Sequence, residues 1–202
     1  MSPLKAAFLA VCLIASALFF LTGNSIAGSF TTVVIDPGHG GKDKGAFWYG
    51  VKEKTLTLDV ALRVEKLLKA RGLRTALTRR SDVYTSLDQR AAIANRYSRS
   101  IFVSIHFNAH TNRSIKGLET FYSSSAGRNI ARAVQRRIVY KIKGKNRGIK
   151  KSVFAVLMRT RAPAILIEAG FLSNLSEGRR CQTEWYRQTL AQAIVDGILS
   201  TR

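Results

Sequence analysis

The sequence predicts a single α/β domain, an open and mostly parallel twisted sheet flanked by helices on both faces. Three observations carry this reading. Apolar runs of strand length alternate with longer segments of helical periodicity from residue 31 to the C-terminus, the pattern of a sheet layered with helices. No internal repeat, low-complexity segment or linker interrupts the chain after residue 30. The 202 residues, 46% of them hydrophobic, are of a size that closes one core.

The elements follow in order. Thr31–Asp36 (TTVVID) reads as a buried strand, ended by Pro-Gly-His-Gly-Gly. From Glu53 to Arg71, Leu56, Val60, Val64, Leu67 and Leu68 recur at helical spacing, and Gly72 follows as a stop. Leu73–Arg79 is a second strand, Leu87–Tyr97 a helix, and Ile101–His106 a third strand. Gly117–Tyr122 is a strand after a polar loop, and Gly127–Ile142 is a basic helix. Val153–Met158 and Ala164–Glu168 read as strands, and Glu184–Leu199 closes the chain as a helix.

The first thirty residues are of another kind. Lys5 precedes an uncharged run from Ala6 to Leu21, and Ser25-Ile26-Ala27 offers a small-x-small cleavage pattern. Residues 1–27 are expected to be a signal peptide, with an uncleaved anchor as the alternative because the run is near the length of a spanning helix. Residues 30–202 are left as the functional domain. Either way the chain is expected to be exported, to the periplasm or to the extracellular cell wall. Cys12 lies inside the run without a convincing lipidation box, and its removal leaves Cys181 as the sole thiol, which suits an oxidising compartment.

Composition excludes several classes. Two cysteines cannot form a disulfide scaffold, and neither a CxxC pair nor a Walker loop occurs. Thirty-three Lys and Arg against 12 Asp and Glu give a net charge of +21, which points to an anionic partner. The cations concentrate: Thr120 to Ile167 holds 12 Lys or Arg and no acid, ten of them between Arg128 and Lys151. Arg128, Arg132, Arg136 and Arg137 share one side of a helix whose other side carries Ile130, Val134 and Ile138. A solvated face is the plain reading, and an anionic wall polymer is the functional one. Nucleic acid is not expected, because Tyr140 alone offers a stacking ring among the cations.

The chemistry is placed by the ends of the strands, since sites in open α/β sheets form outside their carboxyl ends. The first strand runs into Asp36-Pro37-Gly38-His39, the third ends at His106 and the last at Glu168, while Glu53 opens the first helix on the same edge. Two histidines and a carboxylate suit a catalytic zinc shell with an open position, and a remaining carboxylate suits a general base. Each residue also has a plainer reading: His39 as a surface histidine in a turn, Glu53 as a first-turn carboxylate favoured by the helix dipole, His106 as a satisfied core histidine. Glu168 follows Ile165-Leu166-Ile167, where an unpaired carboxylate is costly, so function outweighs packing there. His110 matches no ligand position and is expected in solvent. Arg90 is expected to buttress the fold through an ion pair.

At the level of ordered motifs the chain resembles the zinc-dependent N-acetylmuramoyl-L-alanine amidases, which strip stem peptides from peptidoglycan. The likeness rests on Val34-Ile35-Asp36-Pro37-Gly38-His39-Gly40-Gly41, Glu53-Lys54, Leu77-Thr78-Arg79 with Asp82, Leu87, Arg90 and Ala94-Asn95. It continues through Ser104-Ile105-His106-Phe107-Asn108-Ala109 and Gly117 to Pro163-Ala164-Ile165-Leu166-Ile167-Glu168-Ala169-Gly170-Phe171-Leu172-Ser173-Asn174. By this resemblance His39, Glu53 and His106 correspond to the ligands of one Zn²⁺ per chain, Glu168 to the catalytic glutamate and Asn108 to a substrate-binding residue. The family's Asp-Pro-Gly-Ala after the first motif is replaced by Lys42-Asp43-Lys44-Gly45-Ala46, which bears on specificity rather than on metal. The resemblance implies a monomeric amidase acting on peptidoglycan. A non-catalytic cationic wall- or nucleic-acid-binding module, and an amidohydrolase for a different peptide bond, are the alternatives.

Overall fold

In a computed structural model, the structure describes residues 30–202; the expected signal peptide lies outside them. A six-stranded sheet runs in the order β4-β1-β5-β8-β6-β7. Its strands are β1 Thr32–Pro37, β4 Arg74–Leu77, β5 Ser100–Asn108, β6 Leu118–Tyr122, β7 Asn146–Lys151 and β8 Ala164–Phe171. A small hairpin, β2 Phe47–Trp48 and β3 Val51–Lys52, stands apart. The helices are α1 Glu53–Lys69, α2 Leu87–Ala94, α3 Ser125–Ile142, α4 Ala155–Met158, α5 Leu175–Cys181 and α6 Glu184–Leu199. Strands β4, β1, β5 and β8 are parallel, while β6 pairs antiparallel to β8 and parallel to β7. The mostly parallel sheet read from the sequence is therefore present, with a reversed pair at one side.

Both faces are covered. Val33, Ile35, Val103, Ile105, Ile165 and Ile167 meet the stripes of α1, α3 and α6 in the larger core. Val34, Phe102 and Leu166 face the other way, against Ala94 of α2 and Val156 and Leu157 of α4. Burial on both faces explains why β1 is an apolar run rather than an alternating one. Helix starts are capped by side chains: Ser86 and Gln89 form a reciprocal capping box on α2, Ser124 caps α3 and Thr183 caps α6.

The sequence reading needs three corrections. Val153–Met158 is not a strand: Ala155–Met158 is helical and buries the adjacent Val156 and Leu157, which a strand would send to opposite faces. The edge strand is instead Asn146–Lys151, hidden in the sequence because cations replace apolar alternation there, as edge strands tolerate. The hairpin and α5 have no apolar periodicity long enough to announce them. Among the described residues no helix is long and apolar enough to cross a membrane.

Candidate active site

The site lies at the carboxyl edge of β1, β5 and β8. Beyond β1 the chain turns sharply, and His39 adopts a left-handed backbone with φ of 60°, a conformation costly for a residue with a side chain. Two buried arginines hold that turn. Arg90 donates to the carbonyls of Pro37 (2.6 Å) and His39 (2.7 Å) and to the Asp36 carboxylate at 2.7 Å. Arg79 donates to the carbonyls of Pro37 and Gly38. Asp36 also accepts from Thr78 and Ser104, so it is fully engaged in the scaffold. Arg90 therefore acts as the buttress its sequence position suggested, and His110 is exposed.

The hairpin delivers Glu53. Tyr49 and Gly50, both with positive φ, make a tight turn between β2 and β3 of the kind that favours hairpins, and α1 begins directly after β3. Glu53 is 3% exposed. Its Oε2 accepts from the Ala46 amide and its Oε1 from the Phe107 amide. Those oxygens also lie 3.1 Å from His39 Nε2 and 3.0 Å from His106 Nδ1. Burial alone would raise the Glu53 carboxyl, but the two imidazoles more than offset it and hold it far below the usual carboxylate range. One donor atom from each of His39, Glu53 and His106 lies within 4.8 Å of the others. This group could hold a metal ion.

Two glycines make room for it. A Cβ on Gly38 would strike Cε1, Nε2 and Nδ1 of the His106 ring, the last at 2.7 Å. A Cβ on Gly45 would lie 2.5 Å from Glu53 Oε2 and 2.6 Å from His39 Cδ2. His39 is oriented from behind by Asp43, whose Oδ2 is 2.8 Å from Nδ1, an arrangement that leaves Nε2 facing the cluster and resembles the carboxylate–histidine pairs of metal sites. Burial lowers the proton affinity of His39, but Glu53 and Asp43 outweigh it and the net shift is upward. Asp43 was not singled out from the sequence; its position four residues after His39, beside Gly45, is the available signal.

Glu168 stands on β8 directly across from His106 on β5. Its Oε2 is shut off from solvent and has no hydrogen-bond partner. Burial, then the negative charges of Glu53 and Glu119, push its carboxyl well above the usual range. Glu119 sits opposite Glu168 on β6 and is itself buried, a second acid the sequence did not reveal. It accepts from Lys150 at 2.5 Å, Arg147 at 3.2 Å and Asn108 Nδ2 at 2.8 Å. Asn108 also accepts the Ala109 amide. Both polar ends of Asn108 are thus engaged within the protein, at the end of the strand that carries His106.

A family model described as N-acetylmuramoyl-L-alanine amidase matches residues 33–200. The chain belongs to this amidase family. An N-acetylmuramoyl-L-alanine amidase from Clostridium difficile 630 is similar at a TM-score of 0.81 and 40% identity, over 86% of this chain and 97% of that one. The catalytic domain of CwlV, the amidase of Bacillus (Paenibacillus) polymyxa var. colistinus, gives 0.82 at 37% identity, over 85% and 97%. The amidase LytC of Bacillus subtilis (strain 168) is 34% identical over 181 residues, which are 88% of this chain and 36% of that protein. The probable cell wall amidase LytH of Staphylococcus epidermidis is 34% identical over 88% of this chain and 60% of its own length. The chain therefore spans less than two thirds of the length of these two relatives. Its α/β fold is the one these amidase structures share.

Proposed function

We propose that the chain is an N-acetylmuramoyl-L-alanine amidase, hydrolysing the bond between the lactyl group of N-acetylmuramic acid and L-alanine in peptidoglycan. The observation that carries this is the juxtaposition of His39, Glu53 and His106 with an unpartnered carboxylate, Glu168, on the neighbouring strand. The donors fit zinc: two imidazole nitrogens and a carboxylate oxygen, with Asp43 behind one imidazole and backbone amides behind the carboxylate, are the ligands of a three-residue catalytic shell. A zinc ion bound there supplies Lewis acidity toward the scissile carbonyl and acidifies a water.

The chain's own residues do the rest. Glu168 accepts one proton from the attacking water and passes it to the alanine nitrogen as the carbon–nitrogen bond breaks, while the hydroxyl stays on the lactyl carbon. Its raised proton affinity suits a group that must both take and release a proton. Asp36 is excluded from this role by Arg90, Thr78 and Ser104. Asn108 braces Glu119 from the end of β5, and its remaining amide hydrogen is left for the substrate contact implied by the resemblance.

We read the cationic stretch as a wall-polymer contact confined to part of its length. Lys141 pairs with Asp196, and Arg147 and Lys150 pair with Glu119. Arg128, Arg132 and Arg136 stay exposed in one row that continues to Tyr140, beside a groove of about 470 Å³ toward β7. The relatives' cell-wall setting and the apolar leader together support an exported protein.

Digestion of purified sacculi followed by mass spectrometry tests the function. Free stem peptides beginning with L-alanine are expected, and release of fragments cut at another peptide bond would overturn the assignment. Glu168→Gln should retain zinc and sacculus binding while turnover falls by roughly 10²-fold or more. Reversing Arg128, Arg132 and Arg136 to Glu should abolish sedimentation with sacculi at low salt. It should leave hydrolysis of a small soluble muramyl-peptide intact.

A further inference from the structure

The opposite edge of the sheet carries a second cavity that the amidase chemistry does not use. It opens at the amino-terminal ends of β5 and β8 and measures about 1050 Å³, at the upper end of the roughly 300–1,000 Å³ usual for small-molecule sites. Phe30, Ile130 and Pro163 contribute apolar wall, and Arg96 and Arg161 stand on it with no Asp or Glu among the described lining residues. Both arginines are exposed.

The lining selects its ligand. A free inorganic anion would meet the arginines and leave the apolar wall wet. A purely apolar molecule would fill the wall and ignore the charge. An amphiphile with an acyl body and one anionic head satisfies both. The chain itself indicates where such a molecule would come from. Phe30 lies in the wall, and in the sequence it follows the end of the uncharged run Ala6–Leu21 by nine positions. Read as the uncleaved anchor weighed above, that run would bring this edge to the lipid surface. From Ser100 to His106, six steps along β5 at about 3.3 Å each, the site lies about 20 Å farther out, toward the wall.

We propose that this cavity binds the phosphate head and upper acyl chain of an anionic glycerophospholipid, and so seats the domain on the membrane with its catalytic edge outward. The orientation rests on the uncleaved-anchor alternative for residues 1–27; lipid binding itself rests on the cavity, and its readout is independent of hydrolysis.

The full chain is the protein to test, by isothermal titration calorimetry with monomeric short-chain lipids. Dioctanoyl phosphatidylglycerol is expected to bind saturably. Dioctanoyl phosphatidylcholine should bind at least about tenfold more weakly, and inorganic phosphate should not saturate. Arg96→Gln with Arg161→Gln should weaken phosphatidylglycerol binding about tenfold or more, the worth of one lost charge-assisted contact. Ala126→Trp, on the first turn of α3 where it lines the cavity, should abolish binding by filling the mouth. Arg128→Gln, Arg132→Gln and Arg136→Gln together should leave lipid binding unchanged, and hydrolysis of a small muramyl-peptide should stay at the wild-type rate in the cavity variants. Equal affinity for the two lipids, saturable phosphate binding as tight as that of phosphatidylglycerol, or loss in the α3 variant without loss in the cavity variants would overturn the proposal. Absence of hydrolysis in the unmutated chain, with lipid binding intact, would instead overturn the amidase reading alone.

Discussion

Gly38→Ala isolates the most exacting steric demand of the site. The added Cβ would sit 2.7 Å from His106 Nδ1 and nearer still to two other ring atoms. Ordinary carbon contacts are about 3.5–4.0 Å, so the ring or the turn must move by about 1 Å. The ring cannot yield cheaply, because Nδ1 is placed against Glu53. Nor can the turn, because Arg79 holds the Gly38 carbonyl and Arg90 those on either side. Overpacking of this kind costs about 1–3 kcal/mol, and the lost glycine freedom of the unfolded chain returns about 0.4–1 kcal/mol. The net loss of about 1–2 kcal/mol lowers Tm by only about 2–8 °C for a domain of this size. The effect on metal should be larger, since a ligand displaced by about 1 Å no longer meets the tolerance of about 0.2 Å for metal–ligand bonds. The assay is therefore a pair: thermal unfolding of the chelated protein, and zinc retained after dialysis against a graded chelator series. A small Tm change with loss of most of the zinc is expected. Wild-type zinc retention and activity in Gly38→Ala would refute the view that His106 is held in place by the absence of a side chain at 38.

Three further outcomes follow from the same contacts. Arg90→Met should lower stability by about 3–5 kcal/mol, because Asp36, 1% exposed, would be left as an uncompensated buried charge; urea unfolding of the chelated protein measures it, and a change below about 1 kcal/mol would show the pair to be dispensable. Burial alone would raise the Glu65 carboxyl, but Arg80, Lys69 and Thr75 hold it below its ordinary value. Its contribution to stability is thus full above the unfolded value of about 4.3 and is lost as pH falls through the lower folded value. Glu65→Gln should flatten the decline of the urea midpoint between about pH 5 and 3, and an unchanged slope would remove Glu65 from the acid response. Gly45→Ala should behave as Gly38→Ala does toward zinc, because its Cβ would meet Glu53 and His39 together; full metal retention would show that the loop at 42–46 moves freely.

The parts of the site that were legible in the sequence share one physical property: each marks the end of an apolar run. His106 and Glu168 follow four or more residues that must be buried, so their polarity stands out against a background that excludes it, and parallel pairing then brings both to the same edge. Glu53 carried no such contrast. A carboxylate in a first helical turn is ordinary, and only its burial between two histidines and two backbone amides sets it apart, which the family likeness supplied and local spacing did not. Asp43 and Glu119 were hidden for the opposite reason, lying in polar or mixed surroundings where an acid attracts no notice.

The basic stretch shows how far a charge pattern read along the chain can differ from one read in space. Between Thr120 and Ile167 no acid occurs, which along the sequence looks like an unbroken positive field. The fold interrupts it from outside the stretch. Strand β6 places Glu119 one strand from β7, where it engages Arg147 and Lys150, and α6 places Asp196 beside Lys141. Sheet pairing and helix packing thus convert part of the stretch into support for the strand that carries Glu168. What remains exposed, the row of Arg128, Arg132 and Arg136, is spaced four residues apart and so about 6 Å along the helix axis. That spacing is regular enough to follow a repeating anionic polymer. Surface charges of this kind are screened over about 8–10 Å at physiological ionic strength, so the contribution of this row to sacculus binding should fall as salt is raised, whereas the Glu119 cluster, buried at its acidic end, should hold its geometry.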